Sequence, residues 1–150
     1  MEILKRFEMM ECKAIHTPMA TNLKLLNDPS SKPVDVIVYR HIIGSLMYLM
    51  NTRPDIYFAV NTLSQYMVDP RRVHLIVAKH VMRYLKGTLD FGLSYSSENE
   101  FRLFRFTDSD WSGSTTNRKR TSGCCFSLGS TMISWLSRKQ SSISLSTVEA

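Results

Sequence analysis

Residues 35–50, which read DVIVYRHIIGSLMYLM, decide the first part of the fold. Large apolar side chains recur there at intervals of three and four positions, at Tyr39, Ile42, Ile43, Leu46, Met47 and Met50. A half-buried strand would instead alternate at every second position. The spacing therefore predicts an amphipathic helix whose apolar side faces a core.

Two more helices are predicted downstream. Pro54 suits the first turn of a helix, and the negative charge of Asp55 is favourable near the positive end of the helix dipole. The apolar side of this second helix would consist of Ile56, Ala59, Val60, Leu63 and Met67.

A third helix is predicted over residues 72–86, after the break at Pro70. Its buried residues would be Leu75, Ala78, Met82 and Leu85, and Gly87 stands where a left-handed C-terminal cap is expected. Residues 35–88 are therefore predicted to form a small helical bundle.

Residues 1–34 have no comparable pattern. Pro18, Pro29 and Pro33 interrupt any long periodic run. This part is predicted to be an irregular lead-in that lies along the surface or packs on something outside the chain.

Residues 91–150 have the composition of β structure. Residues 91–95 and 101–107 read as short strands on either side of a polar turn, and residues 123–128 and 131–136 flank Gly129–Ser130, which is typical of a tight hairpin. Ser146 and Glu149 have the spacing of a capping box, which indicates the start of a helix. Because Ala150 follows at once, we expect the sequence to be cut inside a folding unit. The predicted class is α+β.

The composition of the 150 residues is globular, with 43% hydrophobic and 21% charged residues. A net charge of +6 is compatible with an anionic partner. The three cysteines form no even framework, and the histidines have no zinc-ligand spacing. Without a long apolar run or a signal-peptide pattern, we expect an intracellular protein, in the cytoplasm or nucleus.

Asp108 and Asp110 are the first candidate site. At positions i and i+2 of a strand, their carboxylates would lie on one face, where they could bind Mg²⁺. The alternative is that both are turn or strand-end acids that face water.

Basic residues form the second candidate site, because they could contact nucleic-acid phosphates without reading sequence. The alternative is that they are solvated surface charges. One group belongs to the third helix and the other to the β half: Arg71, Arg72, Lys79, Arg83 and Lys86, then Arg118, Lys119, Arg120, Arg138 and Lys139.

Several segments together resemble the Pol polyprotein of copia-type LTR retrotransposons, in a collinear match from about Glu2 to Ala150. They are YRHIIGSLMYL at 39–49, TRPDIYFAV at 52–60, RYLKGT at 83–88, TDSDW at 107–111, RKRTSG at 118–123 and LSTVEA at 145–150.

The resemblance implies a fold for each part of the chain. Residues 35–88 would be the thumb or connection region of a reverse transcriptase, which grips the primer-template duplex. Residues 91–150 would begin a truncated RNase H-like domain, with an incomplete antiparallel meander as its sheet.

The resemblance also implies a chemistry. RNase H enzymes cleave the RNA strand of an RNA/DNA hybrid with two Mg²⁺ ions. Asp108 matches the catalytic, metal-binding aspartate of the first strand, whereas Asp110 matches a position that is not a ligand. Ser146 and Glu149 would be capping residues, and the next acidic ligand would lie beyond Ala150.

One matched carboxylate cannot hold two metal ions. The sequence is therefore expected to be a truncated Pol fragment that catalyses nothing as given and binds no Mg²⁺ stably, although its ancestral partner is an RNA/DNA hybrid.

Two non-enzymatic alternatives remain. The first is a nucleic-acid-binding module. The second is a secreted effector of oomycete pathogens that acts on a host protein inside host cells, because short copia-like reading frames occur among such effectors. In addition, the residues from Arg83 to Lys86 resemble a degenerate Arg-x-Leu-Arg motif.

Overall fold

A computed structural model describes residues 2–20, 31–95, 102–109 and 121–139. Within these ranges the helices are α1 (Glu2–Arg6), α2 (Val36–Leu49), a 3₁₀ helix (Pro54–Ile56), α3 (Tyr57–Ser64) and α4 (Arg72–Gly87). The strands are β1 (Leu103–Ser109), β2 (Thr121–Leu128) and β3 (Thr131–Lys139). The α+β prediction is confirmed. The chain divides into two compact units, Met1–Gly92 and Leu93–Ala150.

Helix α2 forms where the apolar period predicts it. The Asp35 carboxylate caps its first turn by accepting hydrogen bonds from the backbone N–H groups of Ile37 (2.8 Å) and Val38 (3.2 Å). The buried Tyr39 hydroxyl donates to the Leu63 carbonyl at 2.9 Å and so ties α2 to α3. Met47, predicted on the apolar side, is 40% exposed. The buried stripe is therefore narrower than predicted.

The core of the helical unit consists of one side each of α2, α3 and α4. The predicted core positions Ile56, Ala59, Val60 and Leu63 are buried, as are Ala78, Met82 and Leu85 of α4. Met67, also predicted on the apolar side of the second helix, lies beyond the end of α3 and is only partly buried. Leu75 is only partly buried, and the remaining core positions of α4 are occupied by His74, Val77, Val81 and Tyr84.

The N-terminal residues differ from the predicted irregular lead-in. They begin with helix α1, and Leu4, at 1% exposed, joins the hydrophobic core together with Met9. Further along, Pro33 forms an isolated antiparallel bridge with Arg71, at the start of α4. The first described part of the segment, residues 2–20, thus packs on this chain's own helices, because two of its apolar side chains complete their core.

Gly87 is not the left-handed cap that the sequence predicts. It is the last residue of α4, and within the described residues positive φ angles occur at Glu8 (55°) and Gly129 (60°). A Cβ atom at Gly87 would lie 2.9 Å from the Ile15 carbonyl oxygen and 3.3 Å from the Ala14 Cβ. The position therefore requires glycine for the close approach of a neighbouring segment.

The sheet is an antiparallel meander in the order β1-β2-β3, as expected. Gly129 adopts positive φ in the two-residue turn between β2 and β3, which confirms the predicted hairpin. A bulge at Phe126 and Ser127 leaves Ile133 without an opposite residue. Neighbouring Cys124 and Cys125 of β2 lie opposite Thr107 and Phe106 of β1.

Residues 91–95 are not the strand that the sequence predicts. In the described residues they pair with no strand in a ladder, and side-chain bonds hold them instead. The Thr131 hydroxyl donates to the Ser94 carbonyl at 2.5 Å, and the Tyr95 hydroxyl donates to the Met132 carbonyl at 3.4 Å. The predicted capping box of Ser146 and Glu149 lies outside the described residues.

Candidate nucleic-acid interface

Helix α4 separates its apolar residues from its bases. Arg72 and Lys79 are exposed and lie two turns apart, which places them on the same side of the helix. Among the described residues, no carboxylate lies within 4.0 Å of either side chain, since the ion pairs found there are Arg53–Asp55 and Arg71–Asp69. These two cations are therefore available to a phosphate.

Arg71 has a different environment from Arg72. Its Nη2 lies 2.7 Å from Asp69 Oδ2, and its Nη1 donates to the Ser31 carbonyl at 3.3 Å. The side chain is thus engaged at the start of α4, although the sequence groups it with the other bases.

Arg83 and Lys86 also have partners within the chain. Arg83 Nε donates to the Lys13 carbonyl, and Lys86 Nζ donates to the Cys12 carbonyl, both at 2.7 Å. The structure therefore divides the five predicted bases of α4 into two exposed side chains and three that contact other parts of the same unit.

His74 is fully buried at the start of α4, although histidine side chains are more often found at intermediate exposure. Its ring stacks on Tyr66 with centroids 3.9 Å apart, and its Nδ1 accepts a hydrogen bond from the Arg71 N–H at 3.0 Å. Burial lowers the pKa of His74; Asp69 opposes this effect and Arg71 adds to it. The neutral ring therefore helps to cap the first turn of α4.

The opposite end of α4 carries a polar cluster that the sequence analysis missed. Arg53 donates from Nε and Nη2 to the two Asp55 oxygens, at 2.9 and 2.7 Å, and from Nη1 to the Thr88 carbonyl at 3.0 Å. The Tyr84 hydroxyl donates to Asp55 Oδ2 at 2.8 Å.

Arg53 and Asp55 each shift the pKa of the other in the direction that favours its charged form. Burial alone would raise the pKa of Asp55, but hydrogen bonds from Arg53 and Tyr84 outweigh burial and lower it. The hydrogen bond to Asp55 raises the pKa of Arg53. The charged groups of this cluster are hydrogen-bonded within the chain, and we therefore assign the cluster a structural role.

The solvent-facing side of α2 is a second candidate surface that the sequence analysis did not predict. Ile37, Gly44 and Tyr48 recur there at helical spacing, and Tyr48 is 79% exposed. A Cβ atom at Gly44 would meet nothing within 4 Å, so the helix backbone is open to close approach. The signal was present in the sequence, because these residues lie opposite the stripe that begins with Tyr39.

The described side chains contain no cluster of candidate metal ligands. Within residues 2–20, 31–95, 102–109 and 121–139, no group of three His, Cys, Asp or Glu residues could hold a metal ion. Asp108 is placed by its backbone, opposite Gly123 in the β1–β2 ladder. Its role as a magnesium ligand stays a prediction.

The remaining predicted bases cannot be placed as side chains. Arg118, Lys119 and Arg120 lie outside the described residues, and only the backbone of Arg138 and Lys139 is described, at the end of β3. None of the helices in the described ranges is long and apolar enough to span a membrane.

Curated relatives match the whole chain. It is 43% identical over 150 residues to the retrovirus-related Pol polyprotein from transposon RE2 of Arabidopsis thaliana, and 41% identical over the same length to that from transposon RE1. The match covers 100% of this chain but 10% of each polyprotein.

A shorter relative has a different description. Over 114 residues the chain is 40% identical to secreted RxLR effector protein 161 of Plasmopara viticola, a match that covers 75% of this chain and 80% of the effector. No protein-family model matches the chain, and no solved structure does.

Proposed function

Because the chain belongs to the family of retrovirus-related Pol polyproteins from copia-type transposons, we propose that it binds an RNA/DNA hybrid through the phosphates of the duplex. The chain spans about a tenth of the length of the polyproteins that it matches. Reverse transcription and hybrid cleavage would be activities of such longer proteins.

The observation that carries this proposal is that two bases of α4 are exposed and have no acidic partner among the described residues. Arg72 and Lys79 lie on one side of α4, with no described carboxylate within ion-pairing distance of either. Lys and Arg side chains that neutralise phosphates release bound counterions, and this term favours binding regardless of sequence. A hybrid duplex has such phosphates along its whole length.

The outward side of α2 would supply a second kind of contact. The open backbone at Gly44 allows a sugar edge to approach closely, and the exposed Tyr48 ring offers a flat apolar surface. Neither residue adds charge. Their contribution would therefore be independent of salt, in contrast to that of Arg72 and Lys79.

Hybrid cleavage is not proposed for this chain. Two Mg²⁺ ions need several acidic ligands, and Asp108 is the one residue matched to such a role by the resemblance. We propose instead that hybrid binding does not require Mg²⁺, which acts only as a competing counterion of the phosphates.

The test is fluorescence anisotropy of a labelled RNA/DNA hybrid, titrated with protein at several salt concentrations in Mg²⁺ and in EDTA. Arg72→Ala and Lys79→Ala should each reduce the slope of log K against log salt by about one, because each removes one phosphate contact. Tyr48→Ala should weaken binding without changing this slope.

Matched controls remove the same groups elsewhere in the helical unit. Lys5 is an exposed base on α1, and Phe58 is an exposed aromatic residue on α3. Lys5→Ala and Phe58→Ala should leave hybrid binding unchanged. If Lys5→Ala reduces the slope as much as Lys79→Ala does, net charge alone accounts for binding and the proposed interface is wrong.

The relative described as a secreted effector favours a second candidate, a secreted protein that binds a host protein. The structure removes one argument for it. The residues that resemble an Arg-x-Leu-Arg motif lie within α4, where Leu85 is 4% exposed and Arg83 is bonded to the Lys13 carbonyl. Recovery of the chain from host cells would support this candidate.

A further inference from the structure

Residues 12–17, here called the strap, lie across the last two turns of α4. Three α4 side chains and one backbone carbonyl hold the strap. The bonds are Lys86 Nζ to the Cys12 carbonyl (2.7 Å), Arg83 Nε to the Lys13 carbonyl (2.7 Å), His80 Nε2 to the Thr17 carbonyl (3.0 Å) and the Ile15 N–H to the Arg83 carbonyl (3.4 Å).

The acceptors that the strap offers to these bases are neutral. A carbonyl oxygen satisfies a hydrogen bond from Arg83 or Lys86 but does not neutralise the charge. No carboxylate in the described part of the chain lies within 4.0 Å of either base. A phosphate oxygen would be the stronger partner, because hydrogen bonds between two charged groups are shorter and stronger.

Apart from these four hydrogen bonds, the strap has few buried contacts. It contains no helix or strand, and its residues 13, 14, 16 and 17 are exposed. Cys12 and Ile15 are half-buried against the core. Segments with few buried contacts open at much lower cost than the core does. The strap can therefore leave α4 while Leu4 and Met9 stay buried.

We propose that the strap is an autoinhibitory cover of the phosphate-binding side of α4. Its carbonyl groups occupy the places that duplex phosphates take when the strap is displaced. While Arg83 and Lys86 are bonded to the strap, they cannot contact duplex phosphates. When the strap is displaced, both side chains join Arg72 and Lys79 in the phosphate-binding interface. This inference rests on the proposed binding of a nucleic-acid duplex.

Gly87 allows the strap to be released without altering any base. A side chain at this position collides with the backbone of the strap, since even a Cβ atom would be 2.9 Å from the Ile15 carbonyl oxygen. Gly87→Leu should therefore push the strap off α4. Gly92→Leu is the matched control, because a Cβ atom at Gly92 meets nothing within 4 Å.

The experiment combines limited trypsin digestion with hybrid binding, on variants whose helix content by circular dichroism equals that of the wild type. In Gly87→Leu, trypsin should cut after Lys13 about tenfold faster, because local opening controls cleavage. The hybrid should bind about tenfold more tightly at low salt, with a slope of log K against log salt steeper by about two. Gly92→Leu should match the wild type in all three measurements.

Three results would overturn the inference, and they are distinguishable. If cleavage after Lys13 is unchanged in Gly87→Leu, the strap does not yield to a collision at Gly87 and is not a displaceable cover. If cleavage accelerates but binding is unchanged, the strap covers no phosphate site, although the proposed function stands. If cleavage accelerates and neither the variant nor the wild type binds the hybrid, the proposed function fails as well.

Discussion

The imidazole of His74 occupies a position that a surface helix usually gives to Glu or Gln. At the third residue of α4 its Nδ1 accepts the N–H of Arg71, which a Glu or Gln side chain does in a capping box. If Nδ1 accepts, the ring proton is on Nε2, and Nε2 has no hydrogen-bond partner in the described part of the chain. Tyr66, Asp69 and Arg71 surround the ring.

We predict that stability falls as the pH drops below the usual pKa of histidine, about 6.5. Because the folded-state pKa of His74 is lowered, the unfolded chain binds the proton more readily, and protonation favours unfolding. One such group changes the free energy of unfolding by at most about 1.4 kcal/mol per pH unit. Urea denaturation at pH 7 and pH 5 measures the change.

His74→Gln is the control for this prediction, since it retains an acceptor for Arg71 N–H but does not titrate. Its stability should change less between pH 7 and pH 5 than that of the wild type. An equal loss in both proteins would assign the pH dependence to other groups.

The burial of His74 could have been predicted. Positions 74, 78, 81 and 85 lie on one side of a helix, and the sequence analysis placed Ala78 and Leu85 in the core. The backbone acceptors of Arg83 and Lys86, by contrast, lie about 70 positions away in the chain, at a separation that no local pattern encodes.

At the scale of elements, the Arg53 cluster joins the segment before α3 to the end of α4. The Thr88 hydroxyl accepts from Arg53 Nη2 at 2.7 Å and donates to the Tyr84 carbonyl at 2.9 Å. These bonds satisfy groups at the helix end, where backbone carbonyls have no partners within the helix. Arg53 thus fixes the position of both elements.

We predict that Arg53→Met lowers the free energy of unfolding by about 2 kcal/mol, because the Thr88 carbonyl and the partly exposed Asp55 carboxylate both lose their bonds to the buried guanidinium. Arg71→Met is the matched control. It breaks a pair with the largely exposed Asp69, and such pairs contribute about 0–1 kcal/mol. Chemical denaturation measures both values. Equal losses in the two variants would show that the Arg53 cluster is not a special anchor.

The predictions for elements succeeded where local pattern decides the outcome. Residues that are close together in the sequence determine both the apolar periodicity of α2, α3 and α4 and the turn at Gly129. The strand predicted at 91–95 failed because a strand also needs a partner, and Gly87 was misassigned because its neighbours are Ala14 and Ile15. Both errors concern contacts between distant segments.

On the scale of the whole molecule, the two units differ in burial. Within the described residues, the hydrophobic core extends from Leu4 to Leu85 and lies in the helical unit. The sheet exposes apolar side chains on both sides. Phe106, at 58% exposed, lies on one side, and Leu136, in register with Cys124 and Thr107, lies on the other.

We predict that native-state hydrogen exchange separates the two units. Backbone amides of Ile43, Val60, Val81 and their buried neighbours should exchange most slowly, because opening them exposes the core. Amides of β1, β2 and β3 should exchange at least tenfold faster in the same sample. Equal protection of helices and sheet would show that the chain unfolds as one cooperative block.

The pairing of β1 with β2 has a practical consequence. Because consecutive strand residues point to opposite sides, the adjacent thiols of Cys124 and Cys125 lie on opposite surfaces of the same sheet. The alkylation rates of variants that retain a single thiol would therefore measure the solvent accessibility of each surface separately. Any molecule that shields one surface would slow the modification of one sulfur and leave its neighbour reactive.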